Sequence, residues 1–154
     1  GMSVGLENRG EYARISSNKI LATHTICGRS VRSYGDNSSI GGNIITSTSR
    51  NARLIEHGAK DCVIHGNIME ILMTPEECRS GCGIYAVGEN VQGNVIAENI
   101  LRNTPDCGIF ADASAGIVCN NEVRAYRETV ERAGRENVRL AEKLDEKNIR
   151  SIYE

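Results

Sequence analysis

The chain has 154 residues and nearly balanced charge, with 18 lysines and arginines against 20 aspartates and glutamates. That balance supplies no global field to attract nucleic acid or an anionic membrane, and no apolar run approaches the roughly 20 residues that span a bilayer. Sixteen glycines, five tyrosines, one phenylalanine and no tryptophan point to a core of small aliphatic side chains in thin, regular layers.

Gly1-Met2 has the look of a cleaved tag ahead of a start or internal methionine, and no signal-peptide pattern follows it. The chain is therefore expected either not to be secreted or to be a trimmed piece. From Ile15 onward one phrase recurs, an aliphatic residue, two spacers and an asparagine. It runs Ile15 to Asn18, Ile40 to Asn43, Ile64 to Asn67, Val91 to Asn94 and Val118 to Asn121. The asparagines lie 25, 24, 27 and 27 residues apart, a period that belongs to a stacked repeat architecture. A second phrase precedes each: Gly5-Leu6-Glu7, Ser30-Val31-Arg32, Arg53-Leu54-Ile55, Gly83-Ile84-Tyr85 and Gly108-Ile109-Phe110. A third apolar stretch follows each, such as Ile68-Met69-Glu70 and Val95-Ile96-Ala97. Three short strand-like pieces per period, parted by Gly, Asn, Ser and Asp, leave no room for helices.

Repeats reading G-I-x followed by x-x-G-N-x-I resemble those of the pectin-lyase-like superfamily, over residues 4 to 123. The resemblance implies an all-β solenoid, a right-handed parallel β-helix of about five coils. By analogy it also implies an extracellular, cell-surface or virion setting. It does not select a function, because that superfamily holds lyases, hydrolases, epimerases, tailspikes and inert scaffolds. In a parallel stack, Asn18, Asn43, Asn67, Asn94 and Asn121 are expected to form a structural ladder, each amide bonding to those above and below. Asparagine also tolerates the left-handed backbone of a tight corner, and Gly42, Gly66 and Gly93 fall in the same turn.

Cys107 repeats the place of Cys82 one period later. That spacing is within reach of a disulfide, but stacked small hydrophobes are the simpler reading. The six cysteines are too scattered for a zinc site.

After Val123 the pattern ends. Tyr126, Val130, Ala133, Leu140 and Leu144 share one helical face, so residues 124–154 are expected to form an amphipathic helix. Its role is either to cover the last coil, whose edge is otherwise unpaired, or to join copies of the chain. In the second case Asn137 would sit at a register-fixing heptad position.

With Leu6, Val31, Leu54, Ile84 and Ile109 taken as inward, alternation places Glu7, Arg32, Ile55, Tyr85 and Phe110 outward. Arg9, Tyr34, His57, Val87 and Asp112 follow two residues on. Ile55, Tyr85 and Phe110 then make an exposed apolar stripe, covered by another element or used with Asp112 to bind polysaccharide. Glu56 would face inward, at a cost, unless the strand bends beside Gly58. A uronate lyase or C5-epimerase would need Arg32 to neutralise the carboxylate, with His57 and Tyr34 or Tyr85 to move protons. Hydrolysis is disfavoured, because Glu7 and Asp112 stand at opposite ends of the stack. Asp36, Asp61 and Glu89 are the nearest approach to a Ca2+ set, at unequal offsets from their asparagines; no other cofactor is implied.

The sequence thus reads as a non-catalytic β-helix module for carbohydrate or surface binding and assembly. The alternative is a uronate polysaccharide lyase or epimerase. Expected partners are a polysaccharide or further copies of the chain, as a homo-oligomer.

Overall fold

The computed structural model describes residues 3–23, 28–74, 77, 81–104, 107–125 and 149–153. The strands come in layers of three. The first layer is β1 (Ser3–Asn8), β2 (Arg14–Ser16) and β3 (Lys19–Ala22), and the second is β4 (Gly28–Ser33), β5 (Ser39–Gly41) and β6 (Ile44–Ser47). The third is β7 (Ala52–His57), β8 (Val63–His65) and β9 (Ile68–Ile71). The fourth is β10 (Cys82–Ala86), β11 (Asn94–Ala97) and β12 (Ile100–Arg102), and the fifth is β13 (Cys107–Ala111), β14 (Gly116–Cys119) and β15 (Asn121–Ala125). One more strand, β16 (Ile149–Tyr153), pairs with β15.

Every pairing is parallel and joins equivalent strands of successive layers. Three sheets result: β1-β4-β7-β10-β13, β2-β5-β8-β11-β14 and β3-β6-β9-β12-β15-β16. The fold is an all-β parallel solenoid of about four turns. Of the C-terminal helix expected over 124–154, residues 126–148 lie outside the described residues; Arg124, Ala125 and Ile149–Tyr153 are strand.

The core is three vertical columns of aliphatic side chains. Leu6, Val31, Ile55, Ile84 and Ile109 align in the first sheet; Ile15, Ile40, Ile64, Ile96 and Val118 in the second; Ile20, Ile45, Met69, Leu101 and Val123 in the third. β-branched residues stack closely on a pleated surface, which is why short strands suffice. The glycine of the G-I-x phrase has a packing cause: a Cβ on Gly83 would come within 2.0 Å of Leu101 Cδ2 in the third sheet.

The asparagine ladder exists, with one member changed. Asn18, Asn43, Asn67, Asn99 and Asn121 form it, not Asn94. In each step the backbone N–H and Nδ2 of one asparagine both donate to Oδ1 of the next, at 2.9–3.1 Å. Nδ2 of Asn43, Asn67, Asn99 and Asn121 also donates to the carbonyl of an aliphatic residue one layer back. The steps are 25, 24, 32 and 22 residues. The fourth layer takes extra chain between β9 and β10, and its own aliphatic-x-x-Asn phrase is Ile96 to Asn99. Val91 to Asn94 imitated it because the preceding Gly-Asn pair occurs in a different turn. Val95-Ile96-Ala97 accordingly belongs to the second sheet, and Ile100–Arg102 takes the place expected of it in the third.

The left-handed residue of the corner is the one before each asparagine: Ser17, Gly42, Gly66, Glu98 and Asn120, with φ between 53° and 64°. The ladder asparagines are kept by their amide bonds and not by backbone tolerance.

Candidate functional site

The outer face of the first sheet is where chemistry was expected, and its third layer is shifted by one residue. Arg32 pairs with Glu56, and Glu56 with Tyr85, so the outward row is Glu7, Arg32, Glu56, Tyr85 and Phe110. Leu54 and Ile55 are both fully buried. Two successive inward residues break strict alternation, and the side chains confirm the bend. Arg53 donates to Glu56 three residues on, which a flat strand would place on opposite faces. Ile55 is therefore core, and the apolar stripe shrinks to Tyr85 and Phe110.

Glu56 is the centre of the face. Its Oε2 accepts from Arg29 Nε at 2.7 Å and from Arg53 Nη1 at 2.9 Å. Its Oε1 accepts from the Tyr34 hydroxyl at 2.7 Å and lies 3.2 Å from Arg32 Nε. Burial alone would raise this carboxyl, but the hydrogen bonds from Tyr34, Arg29 and Arg53 outweigh it and hold the pKa at about 2. Burial and the same bond to Glu56 push the Tyr34 hydroxyl up. One layer back, Arg32 also faces Glu7 at 4.0 Å, and Glu7 pairs with Arg9.

The aromatic residues extend this column. Tyr85 and Phe110 stack with centroids 5.6 Å apart and planes 18° apart. The Arg53 guanidinium carbon lies 3.6 Å from the centroid of Tyr85, a cation–π contact. Phe110 in the next layer and Arg53 in the previous one thus take the two faces of Tyr85. No flat face of Tyr85 remains for a sugar ring.

His57 does not join Arg32, Tyr34 and Tyr85. It aligns with Ser33 and Ala86, points inward and is 1% exposed. Asn94, displaced from the ladder, is its partner: Asn94 Oδ1 accepts from the Cys62 backbone N–H at 2.9 Å and lies 3.2 Å from His57 Nε2. Because Asn94 Nδ2 donates to the Ala59 carbonyl, its Oδ1 is the acceptor toward the ring, and Nε2 carries the proton. Burial lowers the His57 pKa, against the hydrogen bond to Asn94, so the ring is neutral and structural.

The remaining candidates are also occupied. The Asp112 carboxylate accepts from Gly88 N–H at 2.9 Å, tying a turn to the layer before it. Asp36 accepts from the Lys60 backbone N–H and faces the Lys60 ammonium. Among the described residues, no three His, Cys, Asp or Glu side chains gather to hold a metal ion, with Asp36, Asp61 and Glu89 no exception. Cys82 and Cys107 do stack in register, and Cys82 is buried.

Sequence reasoning missed Arg29, Arg53, Glu56 and Asn99. The first two lie one period apart and pair in register, a signal hidden by taking Leu54 as the sole inward residue of its strand. Comparison with known protein families, with curated proteins and with solved structures found no match.

Proposed function

We propose that this chain is a non-catalytic solenoid module that assembles with further copies of itself through the outer faces of its second and third sheets. One observation carries the reading: aliphatic side chains stand outward there in vertical register. Ile44 and Ile68 are 46% and 37% exposed and align with Ile100 in the third sheet; Val63 and Ile117 are 38% and 55% exposed and flank Val95 in the second. A flat column of exposed β-branched residues is what a sheet presents when something is to cover it.

The first sheet supports the same reading by contrast, since its reactive groups are engaged within their own column. A uronate lyase or epimerase on that face would need a proton acceptor. With His57 buried that role falls to Tyr34, whose hydroxyl is raised and already donates to Glu56. Three parallel sheets with an internal asparagine corner also favour placing the chain with the pectin-lyase-like superfamily as a scaffold member.

Sedimentation velocity across a concentration series tests the assembly, with Ile44→Lys/Ile68→Lys as the disrupting variant. The wild-type chain is expected to associate and the variant to remain monomeric. A wild-type chain monomeric throughout, or association unchanged in the variant, sinks the proposal. Release of unsaturated product from uronate polymers would reinstate the lyase.

A further inference from the structure

The third sheet carries an outward column that reads alike in both directions except for the sign of its ends. From the first layer to the fifth it runs Lys19, Ile44, Ile68, Ile100 and Glu122. Parallel strands are about 4.8 Å apart, so the cation and the anion stand roughly 19 Å apart with three isoleucines between them. Lys19 is exposed and has no acidic neighbour among the described residues. Glu122 is half-buried; its Oε1 lies 2.8 Å from Arg124 Nε, and its Oε2 has no partner among the described residues. The second sheet offers no such pattern. Its column is Arg14, Ser39, Val63, Val95 and Ile117, with a cation at one end and an aliphatic side chain at the other.

Two copies of the third sheet can meet about a two-fold axis in two ways that bring the isoleucines together. With the axis along the stack, equal layers meet, so Lys19 faces Lys19 and Glu122 faces Glu122. With the axis along the strands, the layer order reverses. Ile68 then meets Ile68, Ile44 meets Ile100, and Lys19 meets Glu122 at both ends. Opposite charges replace like ones, which decides between the two registers. The neighbouring outward column accepts the reversed order. It runs Leu21, Thr46, Glu70, Arg102 and Arg124. The two Glu70 side chains meet at the axis with an Arg102 from each copy one layer away, two anions among two cations.

We infer that a second copy docks on the third sheet with its layers in reverse order, Lys19 of each copy against Glu122 of the other. This rests on the assembly reading above and fixes which sheet, which orientation and which side chains pair. The same patch serves on both copies, so the contact closes as a dimer. β16 lies beyond the five matched layers. A face about 19 Å tall, built of strands of three to five residues, falls short of the roughly 800 Å² per partner of a standard interface. The pair is therefore weak and reversible.

Sedimentation velocity of the full chain at low ionic strength, up to roughly millimolar protein, tests this with charge reversals at the two ends. Lys19→Glu and Glu122→Lys are each expected to weaken association at least about fivefold, and the loss is expected to shrink in about 0.5 M salt. The double variant Lys19→Glu/Glu122→Lys should associate like wild type, because each contact again joins opposite charges. An equimolar mixture of the two single variants should also recover association, which shows that both are folded. Single variants that associate like wild type would overturn the inference, because the layers would then meet in equal order or through another face. A double variant as weak as the single ones, or a mixture no stronger than its parts, would overturn it too. A wild-type chain monomeric throughout sinks the assembly reading together with this inference. Wild-type association untouched by either reversal sinks this inference alone.

Discussion

The corner between the second and third sheets and the outer face of the first sheet are both held by contacts that run up the stack. They differ in what repeats. At the corner the same side chain recurs, and each amide finds an identical partner above and below, out of reach of water. On the outer face unlike groups alternate: carboxylate, guanidinium, phenol and phenyl ring, partly in solvent. A ladder of identical groups extends to any number of layers, whereas a mixed column works only in the order in which it occurs. The corner is therefore the general solution for the fold, and the face is particular to this chain.

The comparison breaks most sharply at Asn67. Asn67→Ala removes four hydrogen bonds, leaves the buried Asn43 N–H without its Oδ1 acceptor, and takes the Nδ2 donor from the Ile40 carbonyl and from Asn99 Oδ1, which keeps only the backbone N–H of residue 67. A loss of about 3–5 kcal/mol is expected in chemical denaturation. Asn18→Ala, at the half-exposed end of the same ladder, should cost only about 1 kcal/mol. Equal losses at the two positions would mean that the ladder does not act as a buried column.

The outer face is expected to contribute less, and to reveal itself through pH. Glu56 has a folded pKa of about 2, below its unfolded value near 4.5. Its stabilisation is complete above pH 4.5 and is lost as pH falls toward 2. Discounted for solvent screening, it amounts to roughly 1–2 kcal/mol. Glu56→Gln should thus be less stable than wild type at pH 7 and indistinguishable from it near pH 2. A gap that stays constant between pH 7 and pH 3 would contradict the carboxylate's role. His57 adds a second, higher window. Its folded pKa is lowered, so the unfolded chain takes up the proton first, and stability declines as pH drops below about 6.5. His57→Gln should flatten thermal stability between pH 7 and pH 5 without touching the Glu56 window.

The same contrast explains what could be read without coordinates. Identical residues at a fixed interval announce the corner, so three strands per layer, parallel stacking and four of the five ladder members were legible. Asn94 misled because Gly-Asn is favoured in more than one kind of turn, and the extra chain before Cys82 shifted the fourth layer enough for Asn94 to fall nearer the expected interval than Asn99. The outer face was less legible because it depends on which residue of each strand points outward. Matching Leu54 to Val31, where the register matches Ile55 to Val31, exchanged Ile55 for Glu56 in the row and hid the arginines around it. Patterns of period two lose their meaning after one bend.

The smallest effect isolates backbone from packing at the corner. Gly42 has φ of +64°, and a Cβ built there meets nothing within 4 Å, so Gly42→Ala pays only for left-handed backbone. The expected loss is about 1–2 kcal/mol, partly offset by the reduced freedom of alanine in the unfolded chain. Glu98 already bears that strain in the fourth layer, at φ +57°. Glu98→Gly should therefore move stability in the opposite direction, by less than about 1 kcal/mol after the entropy of glycine is set against it. If both substitutions destabilise, side-chain contacts of Glu98 hold the turn. If they oppose each other, the left-handed residue before each ladder asparagine is what bends the chain from the second sheet into the third.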